Sequence, residues 1–116
     1  MHEKNGPRDT LLMEFSMTPL GQGESVSRYV AQTLDIIDKS GVDYQLHAMG
    51  TLVEGDIDQI LNVFKQCLTA MSQDCNRISC SAKLDFRKGA GDRLSSKVKS
   101  VEDKLGRQLR TSGPAF

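Results

Sequence analysis

Tryptophan is absent from this chain of 116 residues, and four phenylalanines and two tyrosines are all the aromatic side chains it has. An aromatic stacking cage, for bases or for an organic cation, therefore has little to be built from. Basic and acidic residues number 15 each, so no charge of one sign dominates. Neither nucleic acid nor a membrane surface is implied as a partner. No apolar run approaches the ~20 residues that cross a bilayer. The opening stretch Met1 to Thr10 is polar and mixed in charge, without the apolar segment of a secretory signal, so the expected compartment is cytoplasmic. Three cysteines, Cys67, Cys75 and Cys80, are an odd number with no C-x-x-C spacing, which excludes a disulfide framework and a zinc set. With only His2 and His47 beside them, no metal and no other cofactor is expected.

What is present suits one domain with a two-layer core. Residues 1–9, broken by Asn5-Gly6-Pro7, are expected as a disordered lead, 10–110 as a single domain, and 111–116 as a frayed tail. Leu11, Met13, Phe15 and Met17 alternate with Glu14, Ser16 and Thr18, the period of a half-buried strand that Pro19 ends. Val26, Val30, Leu34 and Ile37, with Tyr29 and Thr33, mark a helix from about Ser25 to Ser40, capped by Ser25 and closed by Gly41. Asp43 to Ala48 and Thr51 to Glu54 read as two strands joined at Met49-Gly50. Asp56 and Gln59 form a capping box for a helix carrying Ile57, Ile60, Leu61, Phe64, Cys67, Leu68 and Met71.

Arg77 to Arg87 has the cleanest alternation, Ile78, Cys80, Ala82, Leu84 and Phe86 on one side against Ser79, Ser81, Lys83 and Asp85 on the other. Cys67 and Cys80 then read as small core residues, and Cys75 as a turn residue open to solvent. Leu94, Val98, Val101 and Leu105 mark a last amphipathic helix.

The order strand–helix–strand–strand–helix–strand is the split βαβ arrangement of the ferredoxin-like fold, here an α+β two-layer sandwich with a four-stranded antiparallel sheet and an extra C-terminal helix. Two helices are expected on one sheet face, leaving Glu14, Ser16, Thr18, Gln45, His47, Ser79, Ser81, Lys83 and Asp85 on the other. The final helix follows a complete unit yet has its own apolar stripe, which must lie either on the same sheet or on a neighbouring subunit; the second is favoured, as a sign of homo-oligomerisation.

Catalytic chemistry has little support. His47 is the one histidine inside the fold, and no G-x-S-x-G turn follows a strand. Lys88-Gly-Ala-Gly-Asp92 lacks the ending of a phosphate loop and reads as a turn with Asp92 as helix cap. From Arg87 to Arg110 there are eight basic and three acidic residues, but no interleaved aromatic, so a solvated helix face is the preferred reading.

Three segments already placed on these elements, Glu14-Phe-Ser-Met-Thr-Pro-Leu-Gly21, Ser25-Val-Ser-Arg-Tyr-Val-Ala31 and Tyr44-Gln-Leu-His-Ala-Met-Gly-Thr-Leu-Val-Glu-Gly55, resemble the thiamine-binding protein family. The stretch Asp85 to Glu102 is similar as well, so the resemblance runs from about Leu12 to Leu105. Its most specific block is Met-Gly-Thr-x-x-Glu-Gly at 49–55, and none of its motifs is catalytic. The resemblance implies a ferredoxin-like domain assembled into dimers and tetramers through its sheets. It also implies binding of thiamine or its hydroxymethylpyrimidine moiety, without an established reaction.

Thiamine joins a cationic thiazolium to an aminopyrimidine with donors and acceptors along one edge. Glu54 is the candidate for the cation; Ser16, Thr18 and Thr51 are candidates for the pyrimidine edge, with His47 at the same rim. For each, ordinary strand polarity is the competing explanation. The expectation is a non-catalytic small-molecule binding protein. The alternatives are a structural or regulatory homo-oligomer without thiamine, and an enzyme of thiamine-related metabolism.

Overall fold

The computed structural model describes residues 9–21, 26–89 and 93–110. The elements run β1 (Thr10–Pro19), α1 (Val26–Ser40), β2 (Asp43–His47), β3 (Gly50–Gly55), α2 (Ile57–Ser72), β4 (Ile78–Arg87) and α3 (Arg93–Leu105). The strands form one antiparallel sheet in the order β2-β3-β1-β4, the expected βαββαβ unit with a helix added. The expected lead and tail, Ser25 as cap and Asp92 as cap lie outside the described residues.

Local chemistry explains the element ends. Asp56 Oδ1 accepts from the Gln59 amide at 2.8 Å, and Gln59 Oε1 accepts from the Asp56 amide at 3.0 Å, so the reciprocal box that starts α2 is complete. Gly41 closes α1 at φ +84°, a conformation that a side chain would strain. Pro19 is the last residue of β1 rather than the residue after it, still paired with Ile78.

The core sits between α1, α2 and the face of the sheet carrying Leu11, Met13, Phe15, Met17 and Val53. Ile60, Val63, Cys67 and Met71 of α2 meet Tyr29 and Ile37 of α1 there. Phe15 and Phe64 pack edge to face with ring centroids 5.6 Å apart.

Three expectations need correction. On α1 the buried row is Tyr29, Thr33 and Ile37, while Val30 is 41% exposed, because the helix is rotated toward α2. Cys80 is exposed and Cys75 buried, the reverse of the sequence reading. Helices α1 and α2 leave the apolar row from Cys80 to Phe86 uncovered, whereas the turn after α2 folds Cys75 into the core.

Candidate functional site: a cleft between α1 and the β2–β3 turn

Strand β1 pairs with β4 along its whole length, but its ladder with β3 ends at Phe15–Thr51. Beyond that point β1 runs on past the turn at Ala48–Met49, and α1 passes over the gap. The result is a cleft of about 210 Å³. Ser16, Met17 and Thr18 of β1 form its floor, Val26, Val30, Thr33 and Leu34 of α1 its roof, and the segment Leu46 to Thr51 its third wall. The α1 positions turned away from the core, Val30 and Leu34, thus have a surface of their own.

The turn is held against β1 at two points. A Cβ on Gly50 would stand 2.8 Å from the Phe15 carbonyl oxygen, so only glycine lets the two backbones approach this closely. His47 Nδ1 accepts the Met49 amide at 3.2 Å, which puts the neutral ring's proton on Nε2. Nε2 lies 3.1 Å from Glu14 Oε2 and is enclosed. Its N–H points off the line to that oxygen, so the contact is charge proximity rather than an aligned hydrogen bond.

The expected site residues separate into two groups. Ser16, Thr18, His47 and Thr51 all border the cleft. Thr51 stands opposite Phe15 on the helix-covered face, and the pleat puts Ser16 and Thr18 on the other face, so the cleft meets β1 around its free edge. Glu54 is elsewhere. It is 4% exposed, and its two carboxylate oxygens accept the Arg93 and Leu94 amides at 2.9 and 3.1 Å, capping α3 at its positive end. Arg93 in turn donates through Nη2 to the Asp85 carbonyl at 2.7 Å and lies 3.1 Å from the Asp85 carboxylate.

Thr33 escaped the sequence reading because it sits among apolar residues at helical spacing. It is 8% exposed, Thr51 is 5% exposed, and neither side chain makes a hydrogen bond among the described residues. A hydroxyl within an apolar helix stripe was the signal available. Among the described residues that line the cleft there is no carboxylate, lysine or arginine, and His47 is the one titratable side chain. Among the described residues no His, Cys, Asp and Glu group has the makings of a metal site. No helix among them is long and apolar enough to cross a membrane.

Fold and cleft together define a small βαββαβ domain with an added helix and an uncharged ligand-sized cleft at one end of its sheet. Residues 13–102 match the model of the thiamine-binding protein family, and the chain belongs to that family. A UPF0045 protein of Methanocaldococcus jannaschii is 36% identical over 91 residues, covering 78% of this chain and 91% of its own. A UPF0045 protein of Mycobacterium tuberculosis is 35% identical over 94 residues, covering 80% and 92%. The crystal structure of the archaeal protein superposes with a TM-score of 0.73 at 35% identity, over 81% of this chain and 97% of that one. A Thermotoga maritima protein named for a suspected part in thiamine biosynthesis or salvage shares the fold, with a TM-score of 0.70 at 17% identity over 79% and 98% of the two chains.

Proposed function

We propose that this chain is a non-catalytic binding protein for a small uncharged heteroaromatic ring, with the hydroxymethylpyrimidine moiety of thiamine as its ligand in the α1–turn cleft. The observation that carries this reading is the pair of largely buried threonines, Thr33 and Thr51, whose hydroxyls have no partner among the described residues and which border a cleft whose described lining is uncharged. An aminopyrimidine offers alternating donors and acceptors to such hydroxyls and a flat apolar face to Val30 and Leu34. The cleft is smaller than the ~300–1,000 Å³ of pockets for drug-sized ligands, which favours one ring over the two of thiamine. No described lining residue offers a carboxylate for the thiazolium, and Glu54 is engaged at α3. The non-catalytic part is supported by His47, whose one basic lone pair is occupied by the Met49 amide.

Isothermal titration with hydroxymethylpyrimidine and with thiamine tests the proposal. Saturable binding is expected for the pyrimidine, weaker binding for thiamine, and a loss of about three- to tenfold on Thr51→Val, the scale of one hydrogen bond. No heat with either compound sinks the ligand and leaves the structural or regulatory oligomer as the reading. Turnover of either compound restores the enzyme alternative.

The same chain is proposed to act in the cytoplasm as a homo-oligomer, a dimer or a tetramer. Support comes from β4, an edge strand on which Leu84 and Phe86 remain 47% and 45% exposed beside a buried core row. A long apolar edge of this kind is ordinarily covered. Sedimentation at several concentrations separates monomer from dimer and tetramer.

A further inference from the structure

The geometry points to His47 as a positioning residue for the cleft, a strap that fixes the β2–β3 turn through its uncharged imidazole and releases it when the ring takes up a proton. The inference rests on the α1–turn cleft being the binding site, and it concerns how that site is regulated.

The turn contributes Ala48, Met49 and Gly50 to the cleft. Met49 is 84% exposed, so packing does little to hold it. Besides the β2–β3 ladder that closes at His47–Gly50, it is fixed by two backbone-level contacts, the close approach of Gly50 to the Phe15 carbonyl and the Met49 amide's hydrogen bond to His47 Nδ1 at 3.2 Å. The second exists only while Nδ1 has a free lone pair. A proton added there turns the acceptor into a donor, and two N–H groups then face each other. Met49 must move away or the ring must turn.

The other end of the imidazole determines which way the ring goes. Nε2 is enclosed 3.1 Å from Glu14 Oε2 without an aligned hydrogen bond. A charged ring is drawn further toward that carboxylate, and such a rotation completes the Glu14 bond while giving up the one to Met49. Glu14 is the acidic group facing the ring from β1, and Lys83 of β4 stands opposite Glu14 in the ladder. The neighbouring β3 residues, Gly50 and Leu52, and the α1 residues of the cleft are uncharged. The remaining element packed on β2 is α3, which carries Arg93, Lys97, Lys99, Glu102, Asp103 and Lys104 along its length.

The observed arrangement is that of the neutral ring. The ligand-ready turn therefore belongs to the unprotonated form, and binding weakens once the ring takes up a proton. A ligand in the cleft, by reciprocity, opposes that protonation.

Two measurements on the full chain decide this. In amide–proton correlation spectra recorded between about pH 8 and pH 5, the Met49 amide is expected to shift in step with the His47 ring protons. The same shift should vanish in His47→Gln, whose side-chain oxygen keeps an acceptor without a titration. This arm needs no ligand, so it decides the strap even if hydroxymethylpyrimidine fails to bind. In titrations with hydroxymethylpyrimidine, the wild-type affinity is expected to fall about three- to tenfold more than that of His47→Gln over the same range, the scale of one lost hydrogen bond. Proton uptake by the pyrimidine itself appears equally in both proteins and cancels in that comparison. Glu14→Gln removes the carboxylate toward which the charged ring turns and is expected to blunt the loss; it also serves where His47→Gln does not fold. A Met49 amide indifferent to the ring's titration, or identical pH profiles for all three proteins, overturns the inference.

Discussion

Strands β1 and β4 are both ten residues long, lie side by side in full register and alternate equally well, yet their surroundings are opposite. Along β1 every second residue is buried beneath α1 and α2, with Met13 at 1% and Phe15 at 3% exposure. Along β4 no residue is buried, and Leu84, the ladder partner of Met13, is 47% exposed. The difference is position in the sheet rather than composition. β1 has a strand on each side and two helices above it, whereas β4 is the edge whose apolar row from Cys80 to Phe86 α1 and α2 leave uncovered. Period-two patterning therefore identifies the apolar face of a strand, but says nothing about what covers that face.

The sharpest way to break the comparison is to truncate both members of one rung. Met13→Ala is expected to cost about 2–5 kcal/mol, since it leaves a cavity among core side chains. Leu84→Ala should cost about 0.5 kcal/mol or less in an isolated subunit, as surface substitutions do. Denaturant unfolding at two protein concentrations reads both. If the Leu84→Ala loss grows toward that of Met13→Ala as the wild type associates, a second copy covers β4. Equal losses at both concentrations would mean that the edge stays bare.

A smaller effect is expected at β3, where both faces are covered. Glu54→Gln replaces a carboxylate holding two helix amides with one carbonyl, at about 1–3 kcal/mol for bonds to a charged group. Hydrogen exchange should show α3 losing protection first, with the β1–β4 ladder unchanged. Uniform loss across the sheet would show that the cap supports more than α3.

Glu54 also shows where the sequence stops being informative. The strand and helix order, the capping box and the sheet faces are local, and each follows from spacing. Ser16, Thr18, His47 and Thr51 were identified as rim residues from strand polarity and family resemblance, and β1 outrunning β3 brings them to one cleft. Glu54 belongs to the same motif block, but its partners lie 39 and 40 residues away on α3. Nothing in the local spacing announces a cap supplied from another element. Thr33 was legible only as a helix-face residue, because its exposure to the cleft depends on the rotation of α1. The exposure of Cys80 and burial of Cys75 had the same origin, the reach of α2 over the sheet.

Raising the pH probes the core beside β1, with a smaller expected change. Burial of the α2 residue Cys67 pushes its thiol from 9.0 up to about 11. The folded state holds that proton more tightly than the unfolded chain, so the resulting stability is intact below pH 9 and is lost as pH rises toward 11. Cys67→Ala should flatten that part of the stability profile. An unchanged slope in the variant would assign it to other groups.

The change with almost no energetic consequence is the covalent labelling of Cys80. Among the three thiols it alone is exposed, although partial burial still raises its pKa and slows its reaction. On a bare β4 a maleimide should modify Cys80 well before Cys67 or Cys75, and at a rate independent of protein concentration. Where a second copy lies along the edge, the Cys80 rate should fall as concentration rises, while Cys67 and Cys75 stay protected throughout. Because the label reports cover directly, it distinguishes an edge strand shielded by association from one left open, even where the energetic cost of Leu84→Ala is too small to resolve.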